Sequence, residues 1–154
     1  MSIRKLPLAK SPIVTYQDIG HTLAVTLTKK ESESWLYSNF VNLWFKKQYE
    51  KPVGTLIDIV YPSHTHFQNP FLKNQRLFKY IFEKFNLDIK NFIIENINQG
   101  FYIRVTVDEY YIPGKRAYKN FHYGHDLMIF GYNSSLQLFY VLGYFNEIFT
   151  EYEV

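Results

Sequence analysis

The chain has 154 residues, of which 47% are hydrophobic and 19% aromatic, with a formal charge of +3 and no cysteine. That length suits one domain around one core, and the composition is too apolar for disorder. The lack of cysteine excludes disulfides, thiolate metal sites and a cysteine nucleophile. The small, scattered charge leaves no footprint for nucleic acid.

Residues 1–20 contain Pro7, Pro12 and Gly20 and read as an extended lead-in. They lack the apolar core of a signal peptide, and no run approaches the ~20 apolar residues of a membrane span. A cytoplasmic protein with no membrane contact is therefore expected. His21–Thr28 has strand propensity, with a short buried helix as the alternative. Ser32 or Ser34 can cap a first helix running to about Gln48, with Trp35, Leu36, Phe40, Leu43 and Trp44 as its apolar stripe. After the break at Pro52-Val53-Gly54, Leu56–Tyr61 reads as a short strand, and the following loop carries His64 and His66.

Asn69-Pro70 is a helix-start signal, and Leu77, Tyr80, Ile81 and Phe85 would form the buried face of that helix. Asp88 can cap another helix, with Phe92, Ile93 and Ile97 inward and Gly100 ending it. Three strands follow. Phe101–Tyr111 alternates, with Phe101, Ile103, Val105 and Val107 on one face. Asp126–Tyr132 is apolar on both faces, as a central strand would be. Asn133-Ser134-Ser135 then turns the chain into Leu136–Leu142. The tail, 146–154, mixes Glu147, Glu151 and Glu153 with Ile148, Phe149 and Tyr152, like an amphipathic element left unfinished.

Candidate chemistry centres on His125, where loop becomes strand. A general base needs an imidazole whose second nitrogen is held by an acceptor. Asp126 is adjacent and faces away along a strand, so the partner is sought on the next strand, at Gly143 or Asn146. Ser34 and Ser38, at or near a helix start, are the candidate nucleophiles; capping and a plain hydroxyl are their structural alternatives. The pairs His64/His66 and His122/His125 have spacings seen in metal sites, without the third ligand that would make them diagnostic. No metal and no cofactor is expected.

The run Asp108-Glu109-Tyr110-Tyr111-Ile112-Pro113, followed by Tyr118, His122 and Gly124-His125-Asp126-Leu127-Met128-Ile129-Phe130-Gly131-Tyr132, resembles a known family. It is similar to the papain-like, C39-peptidase-like domain at the N-terminus of butirosin-biosynthesis H-type proteins, which accompany nonribosomal-peptide and polyketide assembly lines. The stretch from Trp35 and the Pro70–Arg76 region share the likeness, which covers roughly residues 16–145. The resemblance implies a cysteine on the first helix, a histidine at the start of the central strand and an acid or amide on the next strand. The histidine matches His125. The cysteine's region holds Ser34 and Ser38, and the third position falls near Gly143.

The expected fold is thus α+β and papain-like over 1–154, with the Trp35, Pro70 and Asp88 helices layered on an antiparallel sheet. One expected function is a non-catalytic relative that binds a peptide, carrier domain or partner subunit through the His125 cleft. His122, Asp126, Tyr118, Asp108 and Trp35 would supply further contacts. Two alternatives stand beside it. One is an acyl- or peptidyl-transferring or thioester-hydrolysing enzyme with a serine nucleophile and His125 as base. The other is a small ligand- or metal-binding domain using the histidines. Because Leu136–Leu142 is apolar with little chain left to cover it, a homodimer or a complementary subunit is expected along that strand and the tail.

Overall fold

The computed structural model describes residues 3–39, 43–45, 57–59 and 69–154, and for 43–45 and 57–59 the backbone alone. It is α+β. Strand β1 (Ile3–Lys5) leads to helix α1 (Gln17–Thr26), a 3₁₀ turn (Lys30–Ser32) and helix α2 (Glu33–Asn39). Strands β2 (Leu43–Phe45) and β3 (Ile57–Ile59) pair antiparallel on their own. Helices α3 (Lys79–Lys84) and α4 (Ile89–Asn98) precede β4 (Ile103–Asp108), a 3₁₀ turn (Glu109–Tyr111), β5 (Gly124–Asn133), β6 (Leu138–Phe145) and β7 (Ile148–Glu153).

The main sheet is organised around β5. On one side β5 takes β4 along 124–129 and β1 along 131–133; on the other side it takes β6, which in turn takes β7, and every pairing is antiparallel. A register shift between Ile129 and Gly131 breaks the alternation of β5. Leu127 and Ile129 therefore share a cluster with Tyr132, while Met128 and Phe130 belong to another. Gly131 is required at this point, because a Cβ there would lie 2.5 Å from the Arg4 carbonyl oxygen of β1.

Helices cover the two clusters separately. Ile97 of α4 packs with Leu127, Ile129 and Val141, and Ala24 of α1 packs with Met128, Phe130 and Leu142. The expected single helical layer is therefore corrected to helices divided between two clusters. The Trp35 helix packs through Leu36 onto Ile19 and Leu23 of α1.

Three further expectations change. Residues 17–26 are helical: the lead-in ends sooner than expected, and from His21 the buried-helix alternative holds in place of the strand. This helix is buried almost all round (Ile19, Leu23, Ala24), so no amphipathic stripe marks it in the sequence. Its β-branched Thr22 and Thr26 donate their hydroxyls to the carbonyls of Asp18 and Thr22, each at 2.8 Å. The Trp35 helix ends at Asn39, and Leu43 and Trp44 lie in β2; Phe40 is outside the described residues. Asn69 starts only a turn, its Oδ1 accepting from the Phe71 amide at 2.9 Å, and helix resumes ten residues later. The resulting α3 buries none of its residues fully and packs Phe82 edge-on against Phe92 of α4 at 5.0 Å, and a short helix so lightly held has little reason to extend. By contrast, Asp88 caps α4 as expected, accepting from the amides of Lys90 and Asn91, and Gly100 follows at φ +90°.

The tail is the largest correction. Residues 148–153 are not unfinished: they form β7, paired with β6 from Phe145↔Ile148 to Tyr140↔Glu153. The edge that motivated a dimer is filled by the chain itself. The new edge carries Glu147, Glu151 and Glu153, charges of the kind that discourage edge-to-edge pairing.

Candidate functional site

His125 sits near the start of β5, opposite Val107 of β4. Two residues past Val107 the chain leaves the strand, and Asp108 initiates the 3₁₀ turn by accepting from the Tyr110 amide. The Glu109 amide donates to the Tyr123 carbonyl at 2.8 Å, which holds the two strand ends together. This geometry brings the Glu109 carboxylate to His125, whose Nδ1 lies 2.8 Å from Oε1. Lys115 Nζ reaches the same oxygen at 3.1 Å and also donates to the Tyr144 carbonyl.

Glu109 and Lys115 are both buried, at 7% and 9% relative exposure, whereas the His125 side chain is 27% exposed. Lys115 is held by its surroundings. Its ammonium lies 4.6 Å from the centre of the Tyr152 ring, and at Gly114 (φ +81°) the Phe145 ring leaves no room for a Cβ. A carboxylate can only accept, so the His125–Glu109 bond requires the proton on Nδ1, and in the neutral imidazole the lone pair is then on Nε2. The imidazole lies nearly parallel to the Tyr144 ring, 6.2 Å between centres. Around it opens a cleft of about 770 Å³ lined also by Arg116, Phe121, Tyr123, Asn146 and Glu147.

A second pair lies one rung further out. His122 Nδ1 donates to Asp108 Oδ2 at 2.6 Å, with its ring stacked on Tyr110 at 4.4 Å. The hydrogen bond from His122, together with the amides of Tyr110 and Tyr123, holds the Asp108 carboxyl below its ordinary value. Asp126 works elsewhere: its carboxylate binds Thr106 and Arg104, the latter at 2.7 Å. Partial burial pushes its pKa up, but the Thr106 hydroxyl and the Arg104 guanidinium outweigh this and leave it lowered.

Of the residues singled out in the sequence, the fold brings His125 and Asn146 to one cleft. Ser34 and Ser38 do not line it; Ser38 donates back to the Ser34 carbonyl within α2. Trp35 packs edge-on to Phe71 at 6.2 Å, and Tyr118 lies beneath Lys119. Neither of these two lines the cleft. Gly143 is buried with the Gln17 amide nitrogen 3.1 Å from where its Cβ would be, so α1 occupies the space a third-position side chain would need. His64 and His66 lie outside the described residues, and among the described residues no cluster of three potential metal ligands occurs.

Glu109 and Lys115 were missed. The signal for Glu109 was available: it follows the strand facing His125, but the partner was sought only on the strand after. The signal for Lys115 is weak: by charge its loop can pair with a phosphate or carboxylate, but a solvated basic surface is the commoner reading of such a loop.

No protein-family description, no curated protein and no solved structure matches this chain.

Proposed function

We propose that the chain is a degenerate papain-like protein that holds a peptide, or an acyl chain borne by a carrier domain, in the His125 cleft without bonding to it covalently. The papain-like part rests on the resemblance of the 108–132 pattern, and the natural-product setting rests on it too. One observation carries the binding reading. His125 is oriented by a buried carboxylate into an aromatic-walled cleft that, among the described residues, is lined by no serine or threonine. Tyr123, Phe121 and Tyr144 offer broad apolar contact for side chains or an acyl tail, and Arg116 and Glu147 offer charge at the same cleft.

A second reading follows from the Nε2 lone pair, which has no partner among the described residues. A base so placed could take a proton from water or an amine arriving with the substrate, which would make the protein a hydrolase or transferase without its own nucleophile.

A short peptide N-acetylcysteamine thioester separates the two. Titration followed by the imidazole NMR signal of His125 is expected to saturate without release of thiol, and Tyr144→Ala should weaken it. Thiol release that disappears in His125→Ala would establish the enzymatic reading instead. No saturable shift at His125 with thioester or free peptide would overturn both.

A further inference from the structure

Residues 73–90, which include α3, present the most concentrated apolar surface of the described chain. Leu77, Phe78, Tyr80, Phe85, Leu87 and Ile89 are all exposed, Phe78, Tyr80 and Phe85 by 57%, 58% and 63%. A helix that buries none of its residues is not part of the fold's own core. Scattered exposed hydrophobics are ordinary, but six large ones within thirteen residues are a patch.

Charge specifies what such a patch can meet. The stretch holds Lys73, Arg76, Lys79, Lys84 and Lys90 against Glu83 and Asp88, five minus two, a net of +3. The whole chain has 17 basic and 14 acidic residues, so the remainder, 12 against 12, is neutral and the entire formal charge sits here. Cations and rings are interleaved: Arg76 lies 5.7 Å from the Phe78 ring centre and Lys84 5.8 Å from that of Phe85, while Phe78 stacks on Tyr80.

We infer that this face docks on an anionic lipid surface, its aromatic side chains entering the interface and its cations meeting the headgroups. Two alternatives fit less well. A second copy placed face to face would oppose +3 with +3. A protein partner suits the aromatics, but four of the five cations are lysines, which protein interfaces disfavour. Anionic headgroups attract lysine and arginine alike, and aromatic residues favour the interfacial zone. The contact is peripheral, since among the described residues no helix is long and apolar enough to cross a membrane. It departs from the sequence expectation of no membrane contact.

Sedimentation of the full chain with vesicles tests this. Binding is expected to vesicles of phosphatidylcholine with a third phosphatidylserine, to fall at least tenfold on pure phosphatidylcholine, and to fall likewise in 0.5 M salt. Lys73→Gln with Lys84→Gln should weaken it roughly tenfold or more, since each basic residue near such a surface matters about fivefold. Phe78→Ser with Phe85→Ser should do the same, and circular dichroism should show both variants folded. Absent binding to the mixed vesicles, or binding untouched in both folded variants, overturns the inference. So does a dimer in light scattering that the aromatic variant abolishes, because it would assign the patch to self-association.

Discussion

Two histidine–carboxylate pairs lie side by side at the end of the β4/β5 ladder, and they are alike in everything but surroundings. Asp108 and Glu109 are consecutive; His122 and His125 are three apart; each histidine offers Nδ1 to a carboxylate, at 2.6 and 2.8 Å. The outer pair is wet, with the His122 side chain 68% exposed. The inner pair shares its carboxylate with a buried lysine. Distance is thus a poor guide to what such a pair contributes. The shorter bond is the weaker structural element, because water competes for both of its ends and salt screens it. The longer one cannot be broken without leaving a buried charge uncompensated.

The most severe way to break this contrast is to remove 148–154. That deletion strips β7 from β6 and takes Tyr152 from over Lys115, together with Phe149 from over His21. Loss of two large half-buried rings together with a whole strand ladder should cost roughly 5 kcal/mol or more, read by urea denaturation. A frayed end would leave the midpoint unmoved. Replacing Glu109 by Ala comes next, at about 3–5 kcal/mol, with Glu109→Gln milder because it keeps an acceptor for His125. If Glu109→Ala unfolds no more readily than the parent protein, the inner pair is no different from the outer one.

His21 sharpens the comparison as a histidine whose ring bonds to a backbone carbonyl, with Asp126 and Asp18 acting on it only through space. It is buried in α1, 2% exposed, with Nε2 2.9 Å from the Leu142 carbonyl and Nδ1 without a partner among the described residues. Burial, only partly opposed by that carbonyl, lowers its pKa to about 4 from 6.5. A depressed folded value means that the unfolded chain takes up the proton first. The neutral His21 therefore contributes stability that is whole above pH 6.5 and is lost as pH falls towards 4. The difference of about 2.5 units corresponds to about 3 kcal/mol. His21→Gln should flatten the stability profile in that window, and an unchanged slope would rule out the assignment. The smallest effect is expected at the outer pair, where His122→Ala should leave the thermal midpoint unresolved from the parent at physiological salt.

The strands β4, β5 and β6 were legible in the sequence because their faces alternate or are wholly apolar over lengths that only a strand explains. Asp88 and Gly100 likewise marked α4, since a cap and a left-handed stop act through their own neighbours. His125 could be singled out because a histidine at a loop-to-strand junction is presented by local structure alone. The remainder depended on tertiary structure. The propensity of Thr22, Val25 and Thr26 for strand gave way to helix because α1 is buried against both β5–β6 and α2, and burial on all sides erases the helical stripe. The tail looked unfinished because a strand's partner is a property of the sheet, and β6 completes it. Glu109 and Lys115 look like ordinary surface charges in sequence. They become a buried pair only because the turn after β4, the Lys115 loop and β7 close over the same point.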